Sequence, residues 1–341
     1  MIHFDFKHIE ELICRSGSIV VTSHHNPDGD AIGSALALAA FLRKNRKFPS
    51  VLVPNDYPAF LKWMPSGDQV IIFNKQEERA REVISNADLI FCLDYNALNR
   101  TDKMEVDLRK AGAVKILIDH HLQPELNDFD HHYSTVQTSS TAELVYRFAL
   151  GCGWDHLLDQ EIATGLFVGI MTDTGSFSFS CNYPDTFRIT ARLIETGINP
   201  EKIHRQVYDT YSENRLRLLG FCLGEKLTVL PEFSTAYIAL SKDDLNRFHY
   251  QVGDTEGIVN YALSIENIKI AVLMTERKDR IRISFRSKGD FSVNLMARLH
   301  FNGGGHKNAA GGDSFAPLDE TIIKLKDVLA QYRDEIARSS Y

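Results

Sequence analysis

Short apolar runs and longer helical stretches alternate through the first half of the chain. Residues 18–22 (SIVVT), 50–53, 69–73, 87–93 (ADLIFCL) and 114–118 (VKILI) are too short for helices and rich in β-branched residues, so they read as strands. Their nearly continuous apolar character, without a polar alternate face, predicts a mostly parallel sheet covered by helices on both faces. Residues 31–44 (AIGSALALAAFLRK) form a small-residue helix. Beyond Ser139 the pattern turns helical over 141–150, 160–171, 185–196 and 213–223, with Asn199-Pro200 opening a short helix.

A different pattern follows. Residues 225–229 and 234–240 predict a hairpin across Pro231-Glu232-Phe233, and 269–275 with 280–286 a second strand pair. Helices are predicted at 292–300 and near 319–336. The expected fold class is therefore α/β with a smaller α+β C-terminal domain. The predicted boundaries are 1–198 for a metal-binding catalytic domain, 199–224 for a helical connection and 225–341 for a substrate-binding domain.

The 341 residues suit two domains, and 44% hydrophobic with 24% charged residues is a globular composition. The apolar stretch 35–42 is far shorter than the roughly 20 residues of a membrane helix. The first 17 residues carry no apolar leader core. Five scattered cysteines without a C-x-x-C read as buried thiols of a cytoplasmic protein. The net charge of −7 lies entirely in residues 1–224, while 277–288 hold six bases and one acid. That balance opposes binding along long duplex nucleic acid and suits a small anionic substrate.

The chemistry gathers at predicted strand ends, where ligands collect in such sheets. His24, Asp28 and Asp30 follow 18–22, Asp94 follows 87–93, Asp119-His120-His121 follow 114–118, and Asp173 closes a helix. An acid after a strand is often only a helix cap, but four such pieces together point to cations. Asp28, Asp30, Asp94 and Asp173 sum with neutral His24 and His120 to −4, which two divalent ions neutralise. Two such ions would clamp a phosphoryl group and activate a water between them. Asp94, isolated between the other pieces, is the candidate shared ligand. The mixed imidazole and carboxylate set favours two Mn²⁺, with Mg²⁺ or Co²⁺ as alternatives.

H-x-x-x-D-x-D, the strand-ending Asp, Asp-His-His and the later helical Asp resemble the four motifs of the DHH phosphoesterase superfamily. Ser139-Ser140-Thr141-Ala142-Glu143 resembles the same family, and Gly303-Gly304-Gly305-His306 resembles the signature of its associated C-terminal domain. The likeness spans nearly the whole chain and is strongest to the branch that degrades very short RNA and dephosphorylates 3′-phosphoadenosine 5′-phosphate (pAp). It implies that His24, Asp28 and Asp94 hold one metal, and Asp30, Asp94, His120 and Asp173 the other. It further implies that His121 contacts the scissile phosphate while Asp119 orients a neighbouring imidazole, so that Asp94, Asp119 and His121 form the catalytic group. Arg100, Arg286, Gly303, Gly304, Gly305 and His306 would bind substrate. His25 is expected to be a loop residue.

Asp130-His131-His132 repeats the triplet after a polar run, and is expected to be a surface or supporting group. The expected partners are short RNA or nucleotides, with no membrane; a homodimer is compatible with the sequence. The alternative substrates are cyclic dinucleotides or linear products such as pApA. A pyrophosphatase fits the GGGH domain less well, and a non-catalytic RNA-binding regulator fits poorly with six intact candidate ligands.

Overall fold

The computed structural model describes residues 4–340. They form two compact units, Met1–Thr210 and Tyr211–Tyr341. In the first, helix Phe6–Arg15 (α1) leads to strand Ile19–Thr22 (β1), helix Gly29–Lys44 (α2) and strands Ser50–Val53 (β2) and Ile71–Ile72 (β3). Helix Glu77–Ser85 (α3), strand Leu89–Leu93 (β4), helix Glu105–Lys110 (α4) and strands Val114–Asp119 (β5) and His131–Ser134 (β6) follow. Helices Thr141–Gly151 (α5), Gln160–Asp173 (α6), Pro184–Ile194 (α7) and Pro200–Tyr208 (α8) complete the unit.

The sheet runs β3-β2-β1-β4-β5-β6 with every neighbouring pair parallel. Successive residues alternate faces as the pleat requires. Val21, Phe91, Leu93, Ile116 and Ile118 pack with residues of α2, α5 and α6. Val20, Ile90, Cys92 and Leu117 pack with Ala80, Ile84 and Leu108 of α3 and α4. Both faces are thus dry, which is why the strands carry no polar alternate. The order of connection reverses between β1 and β4, and that reversal opens a crevice at the strands' carboxyl ends.

Helix α2 is buried from Gly29 to Leu42, and its small residues let α6 approach to backbone contact. A Cβ at Gly33 would lie 2.4 Å from the Gly165 carbonyl oxygen, and one at Gly169 would lie 2.8 Å from Asp30 Oδ1. Larger side chains there would push the helices apart, and with them Asp30 and Asp173. The helix begins where Asp28 caps it, accepting from the Asp30 and Ala31 amides at 3.0 and 3.1 Å.

The second unit contains Glu213–Phe221 (α9), Leu227–Leu230 (β7), Thr235–Leu240 (β8), Lys242–Arg247 (α10), Ile258–Leu263 (α11), Ile270–Glu276 (β9) and Ile281–Ser287 (β10). Val293–His300 (α12), Gly304–Gly305 (β11), Ala309–Ser314 (β12), Leu318–Gln331 (α13) and Arg333–Arg338 (α14) follow. Its sheet runs β11-β12-β10-β9-β8-β7, with β8 and β9 parallel and the other pairs antiparallel. Apolar residues cover both faces, one set with α12 and α13 and the other with α9 and α11.

Several details differ from the sequence reading. Residues 131–134 form an edge strand, β6, pairing with β5 at Ile116↔His131, although the run is too polar to announce one. The glycine-rich run forms a hairpin, β11 with β12. The C-terminal helix divides at Tyr332, and α10 and α11 are additional. The thiols are not uniformly buried: Cys14 is exposed and Cys181 half-buried, while Cys92, Cys152 and Cys222 are buried.

Candidate metal centre

Three strand ends and three helix ends, those of α2, α5 and α6, converge in the first unit's crevice. Asp94 follows β4 with φ of +64°, a left-handed conformation that Asp tolerates better than most residues. Its amide donates to the Ile118 carbonyl of β5 at 3.1 Å, so the turn is locked to the sheet. The residue is 2% exposed, and its side chain directs one oxygen to each side. Oδ2 lies 3.4 Å from His24 Nε2, and Oδ1 lies 3.3 Å from His120 Nε2.

On the first side, Asp28 Oδ1 lies 4.0 Å from His24 Nε2. The His24 Nδ1 is 2.9 Å from the His25 carbonyl. A carbonyl only accepts, so Nδ1 carries a proton. Burial opposes a second proton on this ring, but the Asp94 hydrogen bond and the charge of Asp28 outweigh it and raise its pKa. An ion bound there would take the Nε2 lone pair in that proton's place. On the second side, His120 Nε2 is ringed by Asp94 at 3.3 Å, Asp173 at 3.6 Å and Asp30 at 3.8 Å. Ligands about 2.1 Å from a common ion stand about 3.0–3.4 Å apart. The two separations from Asp94, 3.4 and 3.3 Å, match that spacing, and the other three, 3.6–4.0 Å, are too long for direct hydrogen bonds. Asp30 also accepts from the Thr141 and Ala142 amides at 2.7 and 2.8 Å, and the Thr141 hydroxyl donates to Asp94 Oδ1 at 2.9 Å.

The ionisation pattern shows the same need for positive charge. Burial and the charges of Asp94 and Asp173 push the Asp30 carboxyl well above its usual range. Burial lowers the His120 imidazole, but Asp173 and the Asp94 hydrogen bond outweigh it and raise it to about 10. Burial raises Asp94 too, yet hydrogen bonds with His120 and His24 hold it well below the usual carboxylate range. Without a cation the cluster must retain protons; two divalent ions would replace them. His24, Asp28 and Asp94 form one group able to hold an ion, and Asp30, Asp94 and His120 another, with Asp173 beside the second.

His121 lies beside the shared carboxylate, its Nδ1 3.8 Å from Asp94 Oδ1. Its Nδ1 is 2.7 Å from Asp119 Oδ1, and its amide donates to Asp119 Oδ2 at 3.1 Å. Asp119 is completely buried, and burial lifts its carboxyl to about 6. Burial, then the charges of Arg100 and His120, hold the His121 imidazole well below its ordinary value. Arg100 thus sets positive potential on this side of the cluster, and its carbonyl accepts from the His25 amide at 2.7 Å. His25 is half-buried on the loop, while His131 and His132 lie on β6, where His131 contacts the ring of His8.

Thr141 was quoted in the sequence without a role. The Ser140 hydroxyl accepts from the Glu143 amide at 3.1 Å and so caps the start of α5. What the letters did not disclose is that this helix start faces Asp30 and Asp94.

In the second unit Arg282 is exposed and lies 3.4 Å from Asp313, whereas Arg286 Nη1 donates to the Phe285 carbonyl at 3.0 Å. The Gly303 amide donates to Ala297 O at 3.1 Å and the His306 amide to Ala309 O at 2.7 Å, so these two amides are engaged within the unit. Glycine is required by close approach: a Cβ at Gly303 would stand 2.0 Å from the Gly311 carbonyl oxygen.

Residues 18–170 match the DHH family N-terminal domain, and residues 235–335 match the DHHA1 domain. The chain is similar to the crystal structure of an exopolyphosphatase-related protein from Bacteroides fragilis, with 39% identity, a TM-score of 0.93 and coverage of 98% of this chain and 97% of that one. It is 28% identical to the Bacillus subtilis bifunctional oligoribonuclease and PAP phosphatase NrnA, over 91% of this chain and 93% of the relative. The Thermus thermophilus protein of the same name is 29% identical, over 97% and 94% respectively.

Proposed function

The chain belongs to the DHH family and is a hydrolase of phosphate esters, and from that premise we propose that it cleaves very short oligoribonucleotides and dephosphorylates pAp. The observation that carries the reading is Asp94, one carboxylate shared by two ligand groups. His24, Asp28 and Asp94 would hold one Mn²⁺, and Asp30, Asp94, His120 and Asp173 the other. Bound there, the pair supplies Lewis acidity to the phosphoryl oxygens and lowers the pKa of the attacking water.

The chain's own residues supply orientation and charge. Asp119 fixes the His121 ring by its hydrogen bond, leaving Nε2 to meet the scissile phosphate. Arg100 offsets phosphate charge that a neutral metal cluster leaves uncompensated. In the second unit Arg286, Gly303, Gly304, Gly305 and His306 remain the proposed substrate contacts. A cytoplasmic setting is supported by the cysteines, none of them paired among the described residues. No helix among those residues is long and apolar enough to cross a membrane.

A competition assay tests the substrate class. The Mn²⁺-supplemented protein is given pAp, pApA, a two-nucleotide RNA, a cyclic dinucleotide and a long single strand together. Loss of pAp and the dinucleotide first, with the long strand persisting, is expected. Faster loss of the long strand or the cyclic dinucleotide would overturn the assignment.

A further inference from the structure

Glu143 is completely buried on α5, yet it touches neither proposed ion group among its hydrogen-bond partners. Its Oε2 accepts from the Ser139 amide at 3.2 Å, the Ser139 hydroxyl at 2.6 Å and the Thr186 hydroxyl at 2.7 Å. Its Oε1 accepts from the Arg147 guanidinium one turn further along the helix. Arg147 is about a quarter exposed and also lies 3.8 Å from Asp185 of α7.

A buried carboxylate is costly unless it is paired and hydrogen-bonded, and packing alone is served better by an apolar side chain. Here the bonds close residues 139–143 into a single turn braced against Thr186 of α7. That is the turn whose Thr141 and Ala142 amides hold Asp30, and whose Thr141 hydroxyl holds Asp94. We propose that Glu143 is a positioning residue for the metal centre, setting the first turn of α5 so that Asp30 and Asp94 present their free lone pairs together. The inference rests on the reading that these residues hold cations.

The geometry makes the effect unequal. The Asp30–Asp94–His120 group meets α5 through both carboxylates, whereas the His24–Asp28–Asp94 group shares only Asp94 with it. Disturbing Glu143 therefore loosens one ion more than the other. Among the described residues Arg147 is the one charged donor to Glu143, so the effect depends on its charge.

Calorimetric titration of Mn²⁺ into the metal-free full chain reads this without turnover. Wild type is expected to bind two equivalents. Glu143→Gln should weaken one of them roughly 10- to 100-fold and leave the other within roughly threefold. Its kcat should fall while KM holds. Arg147→Leu should reproduce the selective loss, and Arg147→Lys, which keeps the charge pair, should retain both affinities. If Glu143→Gln does not fold, Ser139→Ala carries the test, with a selective loss of roughly threefold to tenfold. Wild-type affinity for both ions in a folded variant overturns the proposal. So does equal weakening of both in step with lost thermal stability, which marks a merely structural role. A wild-type protein that binds no Mn²⁺ sinks the metal reading, and the inference with it.

Discussion

Asp94→Asn is expected to lower kcat/KM on the order of 10³-fold, about 4 kcal/mol of transition-state stabilisation, with the fold retained. Asparagine tolerates the left-handed backbone at this position, where φ is +64°. Alanine would add backbone strain to the loss of the side chain, so asparagine separates chemistry from folding. The variant keeps the shape and one carbonyl oxygen but loses the charge that serves both sides. His24 and His120 each lie within 3.4 Å of a different Asp94 oxygen, so no neighbouring acid can take over that position. Steady-state kinetics with a melting curve check it. Wild-type, metal-dependent turnover in the variant would reject the shared-ligand assignment.

Chelation should have the second large effect, abolishing turnover and lowering the thermal midpoint together. An ion present at a hundredfold its Kd stabilises the folded state by about 2.7 kcal/mol, so losing two should cost on the order of 10 °C in midpoint or more. The metal-free cluster compensates only by holding protons. His120 is raised to about 10 and Asp30 is pushed up. Binding must displace those protons, so Mn²⁺ affinity should rise with pH and titration in weak buffer should release acid. An unchanged midpoint and rate after exhaustive chelator dialysis would refute a resident metal pair.

The sheet was legible because burial on both faces leaves runs such as LIFCL and VKILI with no polar alternate. The candidate ligands were legible because each stands where such a run stops. Other features left no comparable mark. Strand β6 (HHYS) lies at an edge, where one flank needs no partner and polar residues are tolerated. Strand β12 (AAGGDS) was hidden by glycines that speak for a loop locally, while the close approach of Gly303 to Gly311 is visible only in three dimensions. The contact of Gly33 with Gly165 likewise joins helices far apart in the chain, and it places Asp30 and Asp173 in one crevice. Periodicity finds faces and caps; it carries no record of which helix start will face which carboxylate. Thr141 was passed over for that reason.

The chemistry proposed for this centre needs a pair of cations sharing Asp94. Crystals grown with Mn²⁺, with diffraction recorded on both sides of the manganese absorption edge, test it most directly. Two anomalous peaks about 3.5–4 Å apart, with one Asp94 oxygen towards each, are predicted. A single peak, or a pair of which Asp94 touches only one, would contradict it.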